Sequence, residues 1–243
     1  MNGAMIQRRE RLIVALDVPA PDAARHLVER IGDAACFYKI GLELFTSGGY
    51  FELLQWLNAR GNKVFADLKI FDIPETVRRA VANLQGRGVT FATVHGDRSI
   101  MQAAANAKGD VRILAVTVLT SMGRADLEEM GYAGAVEDLV LARAKSALES
   151  GCDGVIASGL EASMLKAELG DRLLVVTPGI RPSAEGRSPS RGPADDQKRT
   201  VDVAQAFANG ADYIVVGRPI RDADDPRAAA QAIQRTIAGI FPA

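Results

Sequence analysis

Three charged residues at the end of one apolar run are the first candidates for chemistry in this sequence. Residues 64–66 are Val, Phe and Ala, and Asp67, Lys69 and Asp72 follow closely. In a strand, side chains alternate between faces, so Asp67 and Lys69 point the same way, whereas Asp72 lies past the strand end. Two carboxylates and an ammonium group are therefore predicted to crowd one end of a strand.

An edge strand with solvated charges is the simpler explanation of such a cluster. The flanking sequence argues against it, because the apolar run does not alternate and is typical of a strand covered on both faces. Pro74 and Glu75 then indicate the first turn of a helix, where proline is tolerated and an acid suits the helix dipole. Residues 64–76 therefore predict a buried strand, a charged loop and a helix.

Such a cluster has a clear use if the substrate carries a carboxylate of its own. Repulsion from Asp67 would destabilise the bound substrate, and this repulsion disappears as CO2 leaves. Lys69 would stabilise the developing carbanion and protonate it. This chemistry requires no redox or electron-sink cofactor, and we predict no metal site. The division between repulsion and carbanion stabilisation stays open.

The elements that must position these residues are short apolar strands alternating with helices. The chain has 243 residues, of which 48% are hydrophobic, and a single α/β barrel commonly has about this length. Strands are predicted at residues 12–16, 37–41, 63–69, 90–94, 112–119, 154–157, 173–176 and 213–216. Eight such β/α units predict a single (β/α)8 barrel domain over residues 1–243.

An open, doubly wound sheet is the alternative arrangement of such units. Its usual G-x-G-x-x-G fingerprint is missing from the first turn, residues 17–21. Polar residues also follow nearly every predicted strand, whereas a doubly wound sheet would concentrate them at one crevice. Both features favour the closed barrel, whose active site lies at the carboxyl ends of the strands.

A second lysine, Lys39, lies within the apolar second strand between Tyr38 and Ile40. An unpaired ammonium group buried there would cost several kcal/mol, so Lys39 needs a carboxylate partner. Asp67 is the predicted partner. A structural ion pair that only ties two strands together is the alternative interpretation.

The ends of the seventh and eighth strands predict a phosphate site, as in many barrels of this type. Residues 178–181 read Pro-Gly-Ile-Arg, and Gly217 precedes Arg218. Glycine allows close approach of the backbone, and a guanidinium group can contact phosphate through two hydrogen bonds. Residues 182–198 are too many for an ordinary connection and are predicted to cover the phosphate.

The block at residues 67–76, DLKIFDIPET, resembles the signature of the orotidine 5'-phosphate decarboxylase family, which catalyses the last step of UMP synthesis. Further segments match in family order: ALD at 15–17, YKIG at 38–41, VTVLTS at 116–121, TPGIRP at 177–182 and VVGR at 215–218. The resemblance implies cofactor-free decarboxylation of orotidine 5'-phosphate to UMP by a homodimer, with Lys69 as the proton donor.

The resemblance also implies roles for individual residues. The catalytic residues would be Lys39, Asp67, Lys69 and Asp72, with Asp72 contributed to the partner's site. Asp17 and Lys39 would bind ribose hydroxyls, Thr120 the pyrimidine ring, and Gln197 the phosphate. The other implied substrate-binding residues are Ile73, Thr76, Pro178, Arg181, Gly217 and Arg218. His95 also ends a predicted strand, but a satisfied structural histidine is the favoured interpretation, and residues 96–99 depart from the small residues typical of the family.

The remaining features separate this interpretation from other classes. A net charge of −1 gives no general attraction to nucleic acid or anionic membranes, and no apolar run approaches the roughly 18 residues of a membrane span. Cys36 and Cys152 lack ligand spacing and predict buried free thiols in a reducing cytoplasm.

The alternative enzyme is a magnesium-dependent sugar-phosphate decarboxylase or aldolase of the same superfamily, which resembles the D-x-K-x-x-D stretch. Those enzymes carry a glutamate ligand where this chain has Lys39, and an ammonium group there would oppose a cation. A catalytically silent barrel that binds nucleotide or serves as a scaffold is expected to lose one of the four catalytic residues, and none is lost.

Overall fold

Eight parallel strands close into a barrel in which each strand pairs with its sequence neighbours and the last pairs with the first. This computed structural model describes residues 6–181 and 199–242. The strands are β1 Leu12–Ala15, β2 Phe37–Gly41, β3 Lys63–Ile70, β4 Val89–Val94, β5 Arg112–Val116, β6 Gly154–Ile156, β7 Leu174–Thr177 and β8 Tyr213–Val216. The predicted (β/α)8 barrel is confirmed. Residues 182–198, predicted to cover the phosphate, lie outside the described residues.

Helices follow every strand among the described residues. They are α1 Pro21–Ile31, α2 Leu42–Thr46, α3 Tyr50–Ala59, α4 Pro74–Ala82, α5 Arg98–Asn106, α6 Arg124–Glu129, α7 Val136–Glu149, α8 Ala162–Leu169, α9 Val203–Ala208, α10 Arg218–Arg221 and α11 Pro226–Ile240. Local sequence explains several of their starts. Prolines occupy the first turns of α1, α4 and α11, and aspartate side chains cap α5, α9 and α11 through backbone N–H groups.

The alternation of side chains along the strands divides the core into two layers. In β1, Ile13 and Ala15 belong to the core inside the barrel, whereas Leu12 and Val14 pack with the apolar faces of the helices. Aromatic rings fill much of the interior, with the Phe91 ring centroid 5.3 Å from that of Phe37. The barrel is therefore a packed scaffold, which leaves its carboxyl end for a site.

Strand β5 is shorter than the predicted strand at residues 112–119. Both the N–H and the hydroxyl of Thr117 donate to the carbonyl oxygen of Ile156, at 3.2 and 2.8 Å. The regular strand ends before Thr117, so Leu119 and Thr120 belong to the loop at the barrel mouth. Apolar composition alone did not indicate this end, because the run stays hydrophobic through Leu119.

Cys36 and Cys152 are both buried with free thiols, as predicted. Among residues 6–181 and 199–242, the structure contains no helix with the length and apolar character needed to cross a membrane.

Candidate active site

A cavity of about 640 Å³ opens at the carboxyl ends of the strands. Among the described residues, its walls come from the ends of every strand except β4, because parallel strands in a closed barrel all end at the same face. The predicted residues that line it are Asp17, Lys39, Asp67, Lys69, Thr120, Pro178, Arg181, Gly217 and Arg218. Residues widely separated in the sequence therefore meet in one cavity.

Three of the predicted residues that the structure describes are not brought into this cavity within the single chain. Asp72, Ile73 and Thr76 are exposed on the loop after β3 and the first turn of α4, and Ile73 is 67% exposed. The Asp72 carboxylate accepts a hydrogen bond from the Ile73 N–H at 2.7 Å. Gln197 lies outside the described residues. The position of Asp72 beyond the strand end agrees with the expectation from sequence.

His95 also lies outside the residues that line the cavity. It is half-buried, and its ring meets the edge of the Phe71 ring with a centroid distance of 5.8 Å. Burial lowers the pKa of His95, and the positive charges of Arg143 and Lys69 lower it further. This packing against Phe71 agrees with the favoured structural interpretation of the histidine.

Lys39 has two carboxylate partners in the structure. Its Nζ lies 2.7 Å from Asp17 Oδ1 and 3.4 Å from Asp67 Oδ2. The predicted pairing with Asp67 is confirmed, and the closer contact with Asp17 arises because β2 lies between β1 and β3. Burial disfavours the ammonium form, but Asp67 and Asp17 outweigh this effect and raise the pKa of Lys39.

Asp67 is the centre of the charged network. Its Oδ1 accepts hydrogen bonds from Lys69 Nζ at 2.8 Å and from the Thr93 hydroxyl at 2.9 Å, while its Oδ2 faces Lys39. Burial disfavours the carboxylate form, but the charges of Lys39 and Lys69 and the two hydrogen bonds outweigh it and hold the pKa of Asp67 below its ordinary value. Asp17, Lys39, Asp67 and Lys69 therefore alternate in charge across three strand ends.

The backbone at Lys69 departs from a regular strand. Lys69 has a φ of +47°, and no other non-glycine residue among those described has a positive φ. Ala66 pairs with Ala92 and Ile70 with Val94, so four steps along β3 match two along β4. This bulge was not predicted from sequence. The side chains of Asp67 and Lys69 still meet, as the alternation argument requires.

Reasoning from sequence missed a buried ion pair beside the cavity. Arg199 Nη1 donates to Glu161 Oε1 at 2.5 Å, and Nη2 donates to the carbonyls of Val118 and Leu119 at 3.2 and 3.0 Å. Glu161 is only 2% exposed, and burial raises its pKa. Arg199 thus connects the segment before α9 to the loop that bears Thr120. No periodicity or motif spacing in the sequence pairs these residues.

The barrel and its cavity together define a class of protein. A packed (β/α)8 scaffold presents carboxylates and ammonium groups at the ends of β1, β2 and β3, and arginines after β7 and β8. Such a site combines closely spaced charges with groups suited to an anionic substrate. These are the features of a barrel enzyme that performs polar chemistry with its own side chains.

The chain belongs to the orotidine 5'-phosphate decarboxylase / HUMPS family, whose model matches residues 10–233. Two similar proteins named orotidine 5'-phosphate decarboxylase come from Methylococcus capsulatus and Stenotrophomonas maltophilia. They are 59% and 53% identical, and each match covers 96% of this chain and 94% and 95% of the respective relative. The resemblance seen in the sequence is thereby confirmed.

Solved structures give the same result. The crystal structure of orotidine 5'-phosphate decarboxylase from Lactobacillus acidophilus superposes with a TM-score of 0.81 at 36% identity, covering 94% of this chain and 99% of that chain. The enzyme of the same name from Pyrococcus horikoshii superposes with a TM-score of 0.73 at 26% identity, again over 94% of this chain and 99% of that chain. The whole barrel is therefore shared with these enzymes.

Breaking the Arg199–Glu161 pair should destabilise the protein. Arg199→Met leaves the Glu161 carboxylate buried without its cation, which should lower the free energy of unfolding by about 3–5 kcal/mol. The double variant Arg199→Met/Glu161→Met should lose less than Arg199→Met alone, because no unpaired charge remains. Urea unfolding followed by circular dichroism measures both.

The exposed pair Arg98–Glu149, with side chains 62% and 56% exposed, provides the matched control. Arg98→Met should change the free energy of unfolding by no more than about 1 kcal/mol. Equal losses in Arg199→Met and Arg98→Met would show that burial of the first pair has no energetic consequence.

Proposed function

We propose that this chain decarboxylates orotidine 5'-phosphate to UMP in de novo pyrimidine synthesis, using its own side chains and no cofactor. The observation that carries this proposal is the alternating network of Asp17, Lys39, Asp67 and Lys69 at the cavity, with Asp67 held as a buried carboxylate. Membership of the decarboxylase family supports the assignment.

The chemistry follows from placing the substrate carboxylate against Asp67. The two like charges repel one another in the bound state, and the repulsion ends when the bond between the ring carbon and the carboxylate breaks. The electron pair of that bond stays on the ring carbon, and CO2 leaves. The Lys69 ammonium group, 2.8 Å from Asp67, stabilises this carbanion and donates the proton that completes UMP.

The remainder of the substrate is assigned to the other walls of the cavity. Arg181 and Arg218, which follow β7 and β8, bind the phosphate, with Pro178 and Gly217 allowing close approach of the backbone. By resemblance, Gln197 from the covering segment at residues 182–198 also reaches the phosphate. Asp17 and Lys39 bind the ribose hydroxyls, and Thr120 binds the pyrimidine ring.

A homodimer with shared active sites is part of the proposal. Phe71 and Ile73 are each 67% exposed and flank Asp72, so an apolar surface surrounds a carboxylate that the single chain leaves outside its cavity. In a dimer, Asp72, Ile73 and Thr76 would enter the partner's site. A cytoplasmic location is also proposed, and the buried free thiols support it.

The magnesium-dependent sugar-phosphate enzymes are not favoured as an alternative. Their glutamate ligand would occupy the position of Lys39, and the ammonium group of Lys39 is paired with Asp17 and Asp67. A positive charge at that point opposes a cation. The relatives named above also carry the decarboxylase name over nearly the full length of the chain.

Purified protein treated with a chelator should consume orotidine 5'-phosphate. The loss of absorbance of the substrate measures this reaction. Lys69→Ala should reduce single-turnover decarboxylation by about 10⁴-fold, the upper end for general acid catalysis, because the carbanion loses its proton donor. Lys145→Ala, which removes a lysine from an exposed pair with Glu168, should keep the wild-type rate. A rate near wild type in Lys69→Ala would exclude Lys69 as the proton donor.

Removal of Arg218 should separate phosphate binding from chemistry. Arg218→Ala should lower kcat/KM for orotidine 5'-phosphate by about 10- to 100-fold, as expected for one charged hydrogen-bonding partner. It should change kcat/KM little for orotidine, which has no phosphate. The exposed Arg235→Ala is the control and should affect neither substrate. Equal losses on both substrates would place the action of Arg218 elsewhere.

Mixed dimers test whether Asp72 crosses the subunit interface. Lys69→Ala and Asp72→Ala subunits, each inactive alone, should recover about one quarter of wild-type activity when refolded together. Half of the dimers are then mixed, and each mixed dimer has one intact site. Native mass spectrometry confirms that mixed dimers have formed.

The matched control pairs Lys69→Ala with Asp67→Ala. These two residues contact one another within one chain, so every site in the mixed dimer carries one lesion and no activity should return. Recovery in neither mixture would place Asp72 in the site of its own subunit.

A further inference from the structure

Thr93 of β4 connects the backbone of Lys69 to the carboxylate of Asp67. The side chain is fully buried, and its hydroxyl accepts a hydrogen bond from the Lys69 N–H at 2.9 Å. The same hydroxyl donates to Asp67 Oδ1 at 2.9 Å. A hydroxyl has one proton to donate, and that proton is directed to Asp67.

The bulge in β3 explains why this hydroxyl is needed. Around Lys69 the pairing with β4 changes register between Ala66 and Ile70, so the Lys69 N–H is met by the Thr93 side chain in place of a β4 carbonyl. A buried N–H without an acceptor is costly, and a positive φ at a lysine persists only where its surroundings hold it. The Thr93 hydroxyl supplies one of those restraints.

We propose that Thr93 is a positioning residue for decarboxylation, holding the Lys69 backbone and the Asp67 carboxylate in one fixed arrangement. The inference rests on the proposed roles of Lys69 and Asp67. Thr93 is not among the described residues that line the cavity. It therefore acts through its two hydrogen-bond partners, Lys69 and Asp67. Its hydroxyl keeps Asp67 Oδ1 aimed at Lys69 Nζ and keeps the bulge that directs the lysine into the cavity.

The surroundings of Asp67 indicate what loss of the hydroxyl would change. Lys39 from β2 and Lys69 from β3 face its two oxygens, and Asp17, just after β1, faces Lys39. The charge of Asp67 also acts on Tyr50 of α3. The Thr93 hydrogen bond favours the carboxylate form. Its removal raises the pKa of Asp67, so protonation of Asp67 would begin at a higher pH.

The test compares Thr93→Val, which replaces the hydroxyl with a methyl group, with Thr93→Ser, which keeps it. Thr93→Val should lower kcat by about 10- to 100-fold with a change in KM below about 3-fold, because the reacting groups lose their alignment. The acid limb of its kcat profile should move to higher pH. Thr93→Ser should stay within about 3-fold of wild type and keep the wild-type acid limb.

Thr90→Val makes the same substitution on the same strand and should leave kcat and the pH profile unchanged. If Thr93→Val does not fold, Thr93→Ala and Thr93→Ser give the same comparison on unbranched side chains. Equal kcat and equal acid limbs with and without the hydroxyl would overturn the role of Thr93. That result would leave the proposed function standing, whereas failure of the wild-type protein to decarboxylate orotidine 5'-phosphate would overturn the function itself.

Discussion

The ionised carboxylate of Asp67 is the constraint on which the rest of the site depends. It is 9% exposed, and a buried carboxylate persists in its charged form only with cations and hydrogen-bond donors around it. Lys39, Lys69 and Thr93 supply them from β2, β3 and β4. These strands are consecutive neighbours in the barrel, so strand pairing brings the partners of Asp67 to its carboxylate. The contacts of Asp67 in turn link the three strands.

The packed interior of the barrel strengthens these electrostatic interactions. Phe65 lies two residues before Asp67 on the same strand and belongs with Phe37, Phe91 and Tyr213 to the inner core. Aromatic and aliphatic side chains thus occupy the space beneath the charges. Interactions between charges are stronger away from water, so the buried Lys39 and Asp67, with side chains 10% and 12% exposed, interact more strongly than the same pair would on an exposed surface.

The opposite wall of the cavity depends on a second buried charge pair. Glu161 holds Arg199, and Arg199 in turn donates to the carbonyls of Val118 and Leu119, just before Thr120. The loop after β5 is therefore tied to the segment just before α9.

Much of this protein could be predicted from its sequence. Apolar runs with polar ends were sufficient to predict the eight-stranded barrel. They also predicted both ends of β2 and β8 correctly. The conflict between an ammonium group and a buried strand predicted that Lys39 needs a carboxylate partner, and Asp67 was the candidate that the sequence offered. These features depend on local composition, side-chain alternation and the cost of burying charge, all of which can be read along one chain.

The tertiary structure alone decided which distant side chains meet. The contact of Asp17 with Lys39 and that of Arg199 with Glu161 join residues far apart in sequence, and their types do not specify one partner among many. The positive φ of Lys69 also has no sequence signal, because lysine does not favour it. It depends on Thr93, which the closure of β4 against β3 brings to the Lys69 N–H. Hydrogen bonds of this kind are set by strand register, and register is settled only when the whole barrel packs.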